Sequence, residues 1–389
     1  GSGRTPFARG GDGKAAVGPM LREVLISEAL HALGVPTTRA LAVMATGEWV
    51  HRESPLPGAV LTRVAESHLR VGTFEFFAAR GDVARLKRLV RYAWARHGGG
   101  AAGEGVAIPD TWASVSALAE GPSSEAPLDP ALALLNAVVH RQARLLAQWM
   151  ALGFIHGVMN TDNVSISGES IDFGPCAFME AHDPSAVFSS IDHHGRYAYG
   201  NQPGIAEWNL TCLAQALLPA MDGEPEAAAE AATEVLQRFA PAHQTAMRTI
   251  WRERLGLTDV GQAAKTAAVV QAGSRADDEA VNTLVQRFHQ LLFEQKVDHT
   301  LGWRRLCDAA QGDEAKWLVL FSQTEGPRAW LEQWKAAQDA GRSRAPQGDS
   351  VDGVESESAR QARRNERAAA MRRVIPFVIP RNHQVEDAL

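Results

Sequence analysis

The chain has 389 residues, of which 45% are hydrophobic and 22% charged, and its formal net charge at pH 7 is −6. This length can bury a large core and is enough for two domains or lobes. The negative net charge argues against nucleic acid as the main partner, and no apolar run approaches the roughly 20 residues of a membrane-spanning helix.

The cysteines and the N-terminus indicate the cellular setting. Cys176, Cys212 and Cys307 lie far apart without metal-ligand spacing, which predicts free thiols in a reducing, cytoplasmic location. Position 1 is Gly, the first methionine is Met20, and no signal peptide pattern is visible. We therefore expect a fragment or a processed product.

The first hundred residues combine helix and strand patterns behind a Gly-rich start. Apolar residues at helical spacing alternate with β-rich runs that are bounded by Gly and Pro. The predicted elements are a loop at 1–14, a helix at 15–33, strands at 37–45, 48–52 and 58–65, and a helix at 73–97.

The remainder of the chain is mainly helical. A Gly-, Ala- and Ser-rich loop or linker is expected at 98–129, and a polar, poorly ordered segment at 341–360. A helix is predicted at 130–152 with Gly153 as its cap, and a long loop runs from 174 to 204. Further helices are predicted at 205–220, 225–256, 259–271, 276–296, 300–311, 313–340 and 361–374.

The most informative motif is HGVMNTDN at 156–163, followed by DFG at 172–174. Asp, Asn and Gly are also ordinary turn residues, so each motif alone is weak. Their order and spacing together are typical of protein-kinase-like nucleotide sites. In that interpretation Asp162 accepts a proton from an attacking hydroxyl, while Asn163 and Asp172 offer hard oxygen ligands to Mg²⁺.

Two short β-runs at 164–167 and 170–172 separate these motifs. We expect them to form a hairpin arm that returns Asp172 to the side of Asn163. The whole layout predicts an α+β, bilobal, protein-kinase-like fold, with an incomplete β-rich N-terminal lobe at 1–100 and a helical C-terminal lobe at 101–389.

Weaker candidates lie in the N-terminal part. Glu23 could be a solvated helix charge or could pair with a lysine on a preceding strand, and Lys14 is too near in sequence to be that lysine. Asp12 and Gly13 form either a plain turn or a loop that approaches phosphate. Arg63 and Arg70 are either solvated or grip phosphate oxygens.

The histidines next to these motifs favour structural roles. His156 is expected to hydrogen-bond locally and order the Asp162 loop. His193 and His194 have no partners at metal-ligand spacing and are interpreted as loop residues or residues near phosphate. The basic helix at 361–373 is interpreted as a solvated face.

The sequence resembles the selenoprotein O family, the SelO/YdiU proteins, which are kinase-like protein adenylyltransferases. The combination of matching segments is specific and spans the chain. The segments are GSGRTPFARGGDGKAA at 1–16, LGVPTTRA at 33–40, LTRVA at 61–65, SHLR at 67–70, HGVMNTDN at 156–163, IDFGPCAFM at 171–179, QPGIAEWNL at 202–210 and IPRNH at 379–383.

The resemblance implies transfer of AMP from inverted ATP to Ser, Thr or Tyr hydroxyls of proteins, or of UMP from UTP, with Mg²⁺ or Mn²⁺. By motif, it implies that Asp162 is the base and that Asn163 and Asp172 bind the metal. The nucleotide contacts that it implies are Asp12, Gly13, Arg63, Arg70 and Asp172, with Glu23 pairing with the nucleotide-binding lysine.

The family's Gly-rich loop and lysine would precede Gly1, and its redox Cys or selenocysteine would follow Leu389. We therefore expect a chain that is truncated at both ends and not fully active alone. A small-molecule phosphotransferase of the aminoglycoside or choline kinase type and a nucleotide-binding pseudokinase scaffold remain the alternatives. The acceptor proteins, the choice between ATP and UTP and the oligomeric state do not follow from the sequence.

Overall fold

The computed structural model describes residues 3–6, 8, 10–98, 129–258, 275–342 and 356–389. Within these residues the protein has an α+β architecture, as predicted, with many helices and a small sheet. The helix predicted at 259–271 lies outside the described residues. So do most of the linker predicted at 98–129 and most of the polar segment predicted at 341–360.

The N-terminal part consists of β1 (Ala15–Ala16), α1 (Val17–Ala32), β2 (Arg39–His51) and β3 (Pro55–Val64). The strands form an antiparallel sheet in the order β1-β3-β2. Helix α1 begins two residues later than predicted because Ala15 and Ala16 pair with β3. The strands predicted at 37–45 and 48–52 are the single strand β2, whose register shifts absorb the intervening residues.

The helix predicted at 73–97 is two helices, α2 (Val71–Ala78) and α3 (Val83–His97). Gly81 has a φ of +64° between them, a value that glycine adopts at little cost. The Asp82 carboxylate then accepts a hydrogen bond from the Arg85 amide, so it caps α3.

Helix α4 (Pro130–Leu152) is the centre of the main core and agrees with the prediction. Gly153 ends it in the left-handed conformation, as expected of a C-terminal cap. Strand β4 (Phe154–Ile155) follows and pairs antiparallel with β5 (Ala177–Phe178), which lies in the segment predicted to be a long loop.

The two short β-runs predicted at 164–167 and 170–172 do not pair with each other in the described structure. The first bridges to the segment before α2 through Arg70, and the second bridges to the segment before β2 through Thr37. A hairpin this short is marginal alone, whereas these two neighbouring segments offer fixed backbone partners. The hairpin prediction was wrong. Each of the two runs instead pairs with a different segment of the N-terminal part.

The helix predicted at 225–256 is also divided. After α5 (Gln202–Leu217) come α6 (Pro225–Leu236) and α7 (Phe239–Arg254). Pro241 lies in the first turn of α7, and it has no N–H with which to continue the hydrogen-bond ladder of α6.

The C-terminal helices enclose a second core rich in tryptophan. Trp303, Trp317, Trp330 and Trp334 are each at most 1% exposed. The helix predicted at 313–340 is interrupted before Glu325. The helices of this part are α8 (Arg275–Glu294), α9 (His299–Gln311), α10 (Ala315–Leu318), α11 (Glu325–Arg342), α12 (Glu357–Val374) and α13 (Asn382–Ala388).

None of the described helices is long and apolar enough to cross a membrane. Cys176, Cys212 and Cys307 are free thiols, as predicted, and burial raises the pKa of Cys176 to about 12. Cys176 is therefore a core residue rather than a reactive nucleophile.

Candidate active site

Asp162 and Asn163 lie in a single 3₁₀ turn, Thr161–Asn163. The Asn160 side chain accepts a hydrogen bond from the Asp162 amide at 3.0 Å and so begins the turn. Asn163 is buried, and its Nδ2 donates to the Val158 carbonyl at 3.0 Å. This bond fixes the amide orientation, so Oδ1 is the atom that Asn163 can offer to a cation.

Asp172 has a φ of +71°, in the left-handed region that few non-glycine residues adopt. Asp is one of the residues that tolerate this conformation best. Backbone outliers of this kind cluster at functional sites because the surrounding structure must hold them in place. His156, Glu23 and Arg22 bind the residues on either side of Asp172.

His156 connects the Asp162 loop to the residue before Asp172. Its buried ring donates from Nε2 to the Ile171 carbonyl at 2.8 Å and accepts at Nδ1 from the Val158 amide. Burial lowers its pKa, which keeps the ring neutral and preserves this pair of roles. His156 therefore orders the loop, as expected from the sequence.

Two buried amides of α5 support the same loop from behind. Gln202 accepts from the His156 amide and donates to the Phe154 carbonyl, each at 2.9 Å. Asn209 donates to the Met159 carbonyl at 2.9 Å. Both residues lie in the QPGIAEWNL segment, for which the sequence alone indicated no role.

Glu23 on α1 binds the DFG segment directly. Its Oε1 accepts from the Phe173 amide at 2.7 Å, and its Oε2 accepts from Arg63 Nη2 at 2.5 Å. Desolvation raises the pKa of Glu23, with Arg63 opposing this shift and Asp172 adding to it. Glu23 is therefore a buried carboxylate whose ion pair joins α1, β3 and the DFG segment, and its partner within the described residues is Arg63.

Arg22, which was not predicted, holds the other side of the same segment. Its buried guanidinium donates to the carbonyls of Phe173 at 3.2 Å and Cys176 at 2.6 Å. It also donates to Asn382 and to Glu386 on α13. An arginine next to a glutamate on a helix carries no sequence signal for this role, because its acceptors lie at least 151 residues away.

Arg70 and Gly72 position the Asp162 turn. Arg70 Nη1 donates to the Asp162 carbonyl at 2.8 Å, where α2 begins. The α2 backbone also passes very close to the Asp162 side chain, because a Cβ on Gly72 would lie 2.4 Å from Asp162 Oδ1. Gly72 was not predicted, because its importance depends on this long-range approach.

Asp12 and Gly13 lie elsewhere on the sheet. Asp12 forms a bidentate ion pair with Arg52, with both distances 3.0 Å, near the turn between β2 and β3. Hydrogen bonds from Arg52 lower the pKa of this exposed carboxyl well below its usual range. Ala15, three residues after Asp12, pairs with Ala59, whereas Arg63 is four residues, or roughly 13 Å, further along β3. The structure thus joins Glu23 to Arg63 and Arg70 to the Asp162 turn, but it does not join Asp12 to either pair.

The donor groups around the two motifs are suitable for a hard divalent cation. Asn163 offers an oriented amide oxygen and Asp172 a carboxylate, and both types of oxygen are preferred by Mg²⁺ and Mn²⁺. The arginines near them can neutralise phosphate oxygens. This set of groups supports chemistry on a polyphosphate substrate.

Comparisons with known proteins agree with this interpretation. The family model described as protein adenylyltransferase SelO matches residues 1–388. The chain belongs to the SelO family. It is therefore a member of a family of nucleotidyltransferase enzymes, as the resemblance in its motifs indicated.

Curated SelO relatives carry the name protein nucleotidyltransferase YdiU. The protein from Chromobacterium violaceum is 50% identical over 390 residues, which cover 100% of this chain and 69% of the relative. The protein from Rhizobium etli is 47% identical over 392 residues, covering 100% of this chain and 66% of the relative. The chain thus spans about two thirds of the length of these SelO relatives.

Proposed function

We propose that this chain carries the catalytic site of a protein adenylyltransferase, which transfers AMP from ATP to hydroxyl groups of proteins. The observation that carries this proposal is that two neighbouring side chains of α1 form hydrogen bonds with the backbone of the DFG segment. Glu23 accepts from the Phe173 amide while Arg22 donates to the Phe173 carbonyl. These bonds hold the segment in which Asp172 adopts its left-handed conformation.

In this mechanism the acceptor hydroxyl attacks the α-phosphorus of ATP. The new bond joins the hydroxyl oxygen to phosphorus, and the bond to the β-phosphate oxygen breaks, so pyrophosphate leaves. Asp162 takes the hydroxyl proton. Its placement is supported by the hydrogen bond from Arg70 and the close approach of Gly72.

Arg63 and Arg70 are proposed to bind phosphate oxygens. Arg63 uses Nη2 for Glu23, and its Nε and Nη1 make no hydrogen bond to other residues that the structure describes. An arginine oriented on one side by a buried carboxylate is suited to bind phosphate on its other side. Asp12 and Gly13 are proposed to contact the nucleotide only if the Arg52 ion pair opens.

Mg²⁺ or Mn²⁺ would be held by Asn163 and Asp172, where it would neutralise charge on the phosphate oxygens. The neighbouring residues keep the groups that would bind this ion in position. Asn163 keeps its oxygen oriented through its bond to Val158, and His156 fixes the backbone on both sides of the site. We also propose that the protein has a bilobal, kinase-like arrangement and that the same site can transfer UMP from UTP.

Labelled nucleotides test the proposal. Incubation of the full-length protein with an acceptor protein and ATP labelled at the α-phosphate should label the acceptor, whereas label at the γ-phosphate should leave with pyrophosphate. Transfer from the γ position would identify a phosphotransferase, and metal-dependent ATP binding without transfer would identify a scaffold. The mass gained by the acceptor distinguishes AMP, UMP and phosphate.

A further inference from the structure

Three histidines from distant parts of the chain meet in the interior. His182 follows β5, His289 lies on α8 and His299 begins α9. The ring centroid of His182 is 4.5 Å from that of His289 and 5.2 Å from that of His299. One ring nitrogen from each residue lies within 4.8 Å of the other two.

The backbone fixes two of these side chains relative to each other. The His182 amide donates to the Val297 carbonyl at 3.1 Å, and the His299 amide donates to the Glu180 carbonyl at 2.7 Å. These reciprocal bonds hold the segment after β5 against the start of α9. The two imidazoles are therefore held in position before any ligand binds, which lowers the entropic cost of binding.

The hydrogen bonds of His299 leave one nitrogen suited to a metal. Its Nε2 lies 3.3 Å from the Ala151 carbonyl and must donate, because a carbonyl only accepts. Metal-bound histidines usually make this kind of bond with their second nitrogen. His299 Nδ1 then carries a lone pair and lies 3.0 Å from His182 Nδ1, near the ~3.3 Å expected between two nitrogens bound to one tetrahedral Zn²⁺ ion.

His289 provides an independent indication that this cluster can bind a ligand. Its Nε2 is shielded from solvent and has no hydrogen-bond partner among the described residues. A buried polar atom without a partner destabilises the folded protein. Coordination to an ion shared with the other two histidines would satisfy this nitrogen.

The surroundings indicate which ion fits. His182 and His289 line a cavity of about 510 Å³, and the side chains that line it include no carboxylate. Mg²⁺ and Ca²⁺ need oxygen ligands, whereas imidazole suits Zn²⁺. The buried Arg254 guanidinium donates to the Ala151 carbonyl, which also accepts from His299 Nε2. Three neutral imidazoles do not compensate the double positive charge of Zn²⁺, and the Arg254 guanidinium adds a further positive charge nearby. The fourth ligand should therefore be an anion such as hydroxide or chloride.

We propose that His182, His289 and His299 form a binding site for one Zn²⁺ ion, with its fourth position open to the cavity. Binding replaces the hydrogen bond between His182 and His299, and the displaced proton moves to His182 Nε2. The bound ion would link the segment that follows the DFG motif with helices α8 and α9. It is separate from the Mg²⁺ or Mn²⁺ ion proposed at Asn163 and Asp172.

Metal analysis of the full-length protein tests this site. The protein is stripped with a chelator and dialysed against Zn²⁺ with excess Mg²⁺, which occupies oxygen-ligand sites. We expect one tightly bound Zn²⁺ per chain, and a loss of affinity of at least about 100-fold in His289→Gln and His182→Gln. Co²⁺ in place of Zn²⁺ should give the strong visible absorption of a tetrahedral site.

His243→Gln is the matched control, because His243 also has a buried Nε2 without a described partner but lies outside the cluster. Circular dichroism establishes that each variant is folded. Zn²⁺ should raise the thermal unfolding midpoint of the wild type and the control, but not of either cluster variant. A wild-type protein without bound zinc, or full zinc binding by both cluster variants, would overturn the proposal. Asp162→Ala should keep its zinc, so this test does not depend on nucleotide transfer.

Discussion

Gly72 on α2 leaves room for the carboxylate of Asp162, because a Cβ at position 72 would lie 2.4 Å from Asp162 Oδ1. The α2 backbone therefore determines where the proposed base can lie. The site depends on a residue with no side chain as well as on its charged groups.

Gly72→Ala should lower the rate of AMP transfer by about 10-fold or more, since displacement of a base by 1 Å is costly. Nucleotide affinity should change little. Gly18→Ala on α1 is the control, because a Cβ there meets no atom within 4 Å. Steady-state kinetics with α-labelled ATP measure both effects, and a Gly72→Ala enzyme with normal turnover would contradict this role.

Asp162→Ala should lower the transfer rate by about 100-fold or more while ATP still binds, because removal of a general base affects rate rather than affinity. The measurement pairs transfer kinetics with calorimetric titration of ATP. Unchanged transfer in this variant would remove Asp162 from the mechanism and favour the scaffold alternative.

Substitutions of Asp172 should separate its conformation from its charge. Asp172→Asn keeps a residue that tolerates a positive φ, whereas Asp172→Ala should lower the free energy of unfolding by about 1 kcal/mol more. Both variants should lose metal-dependent nucleotide binding. Urea denaturation and ATP titrations with and without Mg²⁺ measure the two effects. Equal stability of the two variants would show that the backbone is not strained there.

Glu23→Ala should lower the free energy of unfolding by about 3 kcal/mol, because it leaves the Phe173 amide and the Arg63 guanidinium without their buried acceptor. Glu28→Ala is the control. Glu28 also forms an ion pair with an arginine, Arg39, but both side chains are at least 40% exposed, and such pairs contribute about 0–1 kcal/mol. Similar losses in the two variants, measured by urea denaturation, would contradict the buried role of Glu23.

His97 should contribute to acid sensitivity. Desolvation, with Arg141 and Arg96 nearby, lowers its pKa from 6.5 to about 4. Below pH 6.5 the unfolded chain binds a proton that the folded chain does not, so stability falls as the pH drops from 6.5 to about 4.

The loss attributable to His97 should be on the order of 2 kcal/mol by pH 4, after allowance for partial solvent screening. His97→Gln should lack this component. Urea denaturation of the two proteins at pH 7, 5 and 4 measures the difference. Parallel stability curves for the wild type and the variant would show that the His97 pKa is not lowered.

The sequence was most informative where function depends on neighbouring residues. The Asp162–Asn163 turn and the DFG segment could be recognised because each is a short, local motif. The groups that hold these two motifs in position could not be recognised from the sequence. Arg22, Gly72 and Gln202 act through contacts with residues distant in sequence, and no local pattern marks such partners.

The errors in secondary structure have a similar origin. Helical periodicity continues through Gly81 and up to Pro241, whereas the structure divides the first helix at Gly81 and the second at 237–238, just before Pro241. The predicted hairpin failed because its two runs pair with segments more than 90 residues away. The histidine cluster is also a tertiary feature, because 117 residues separate His182 from His299.

The single guanidinium of Arg22 connects α1, the DFG segment and α13. Residues 382 and 386 leave the ribosome after the rest of this network has been translated. Until they emerge, two of the hydrogen-bond acceptors of Arg22 do not yet exist. We therefore expect the DFG segment of the nascent protein to reach its final geometry only after residue 386 has emerged, which would delay any nucleotide transfer until then.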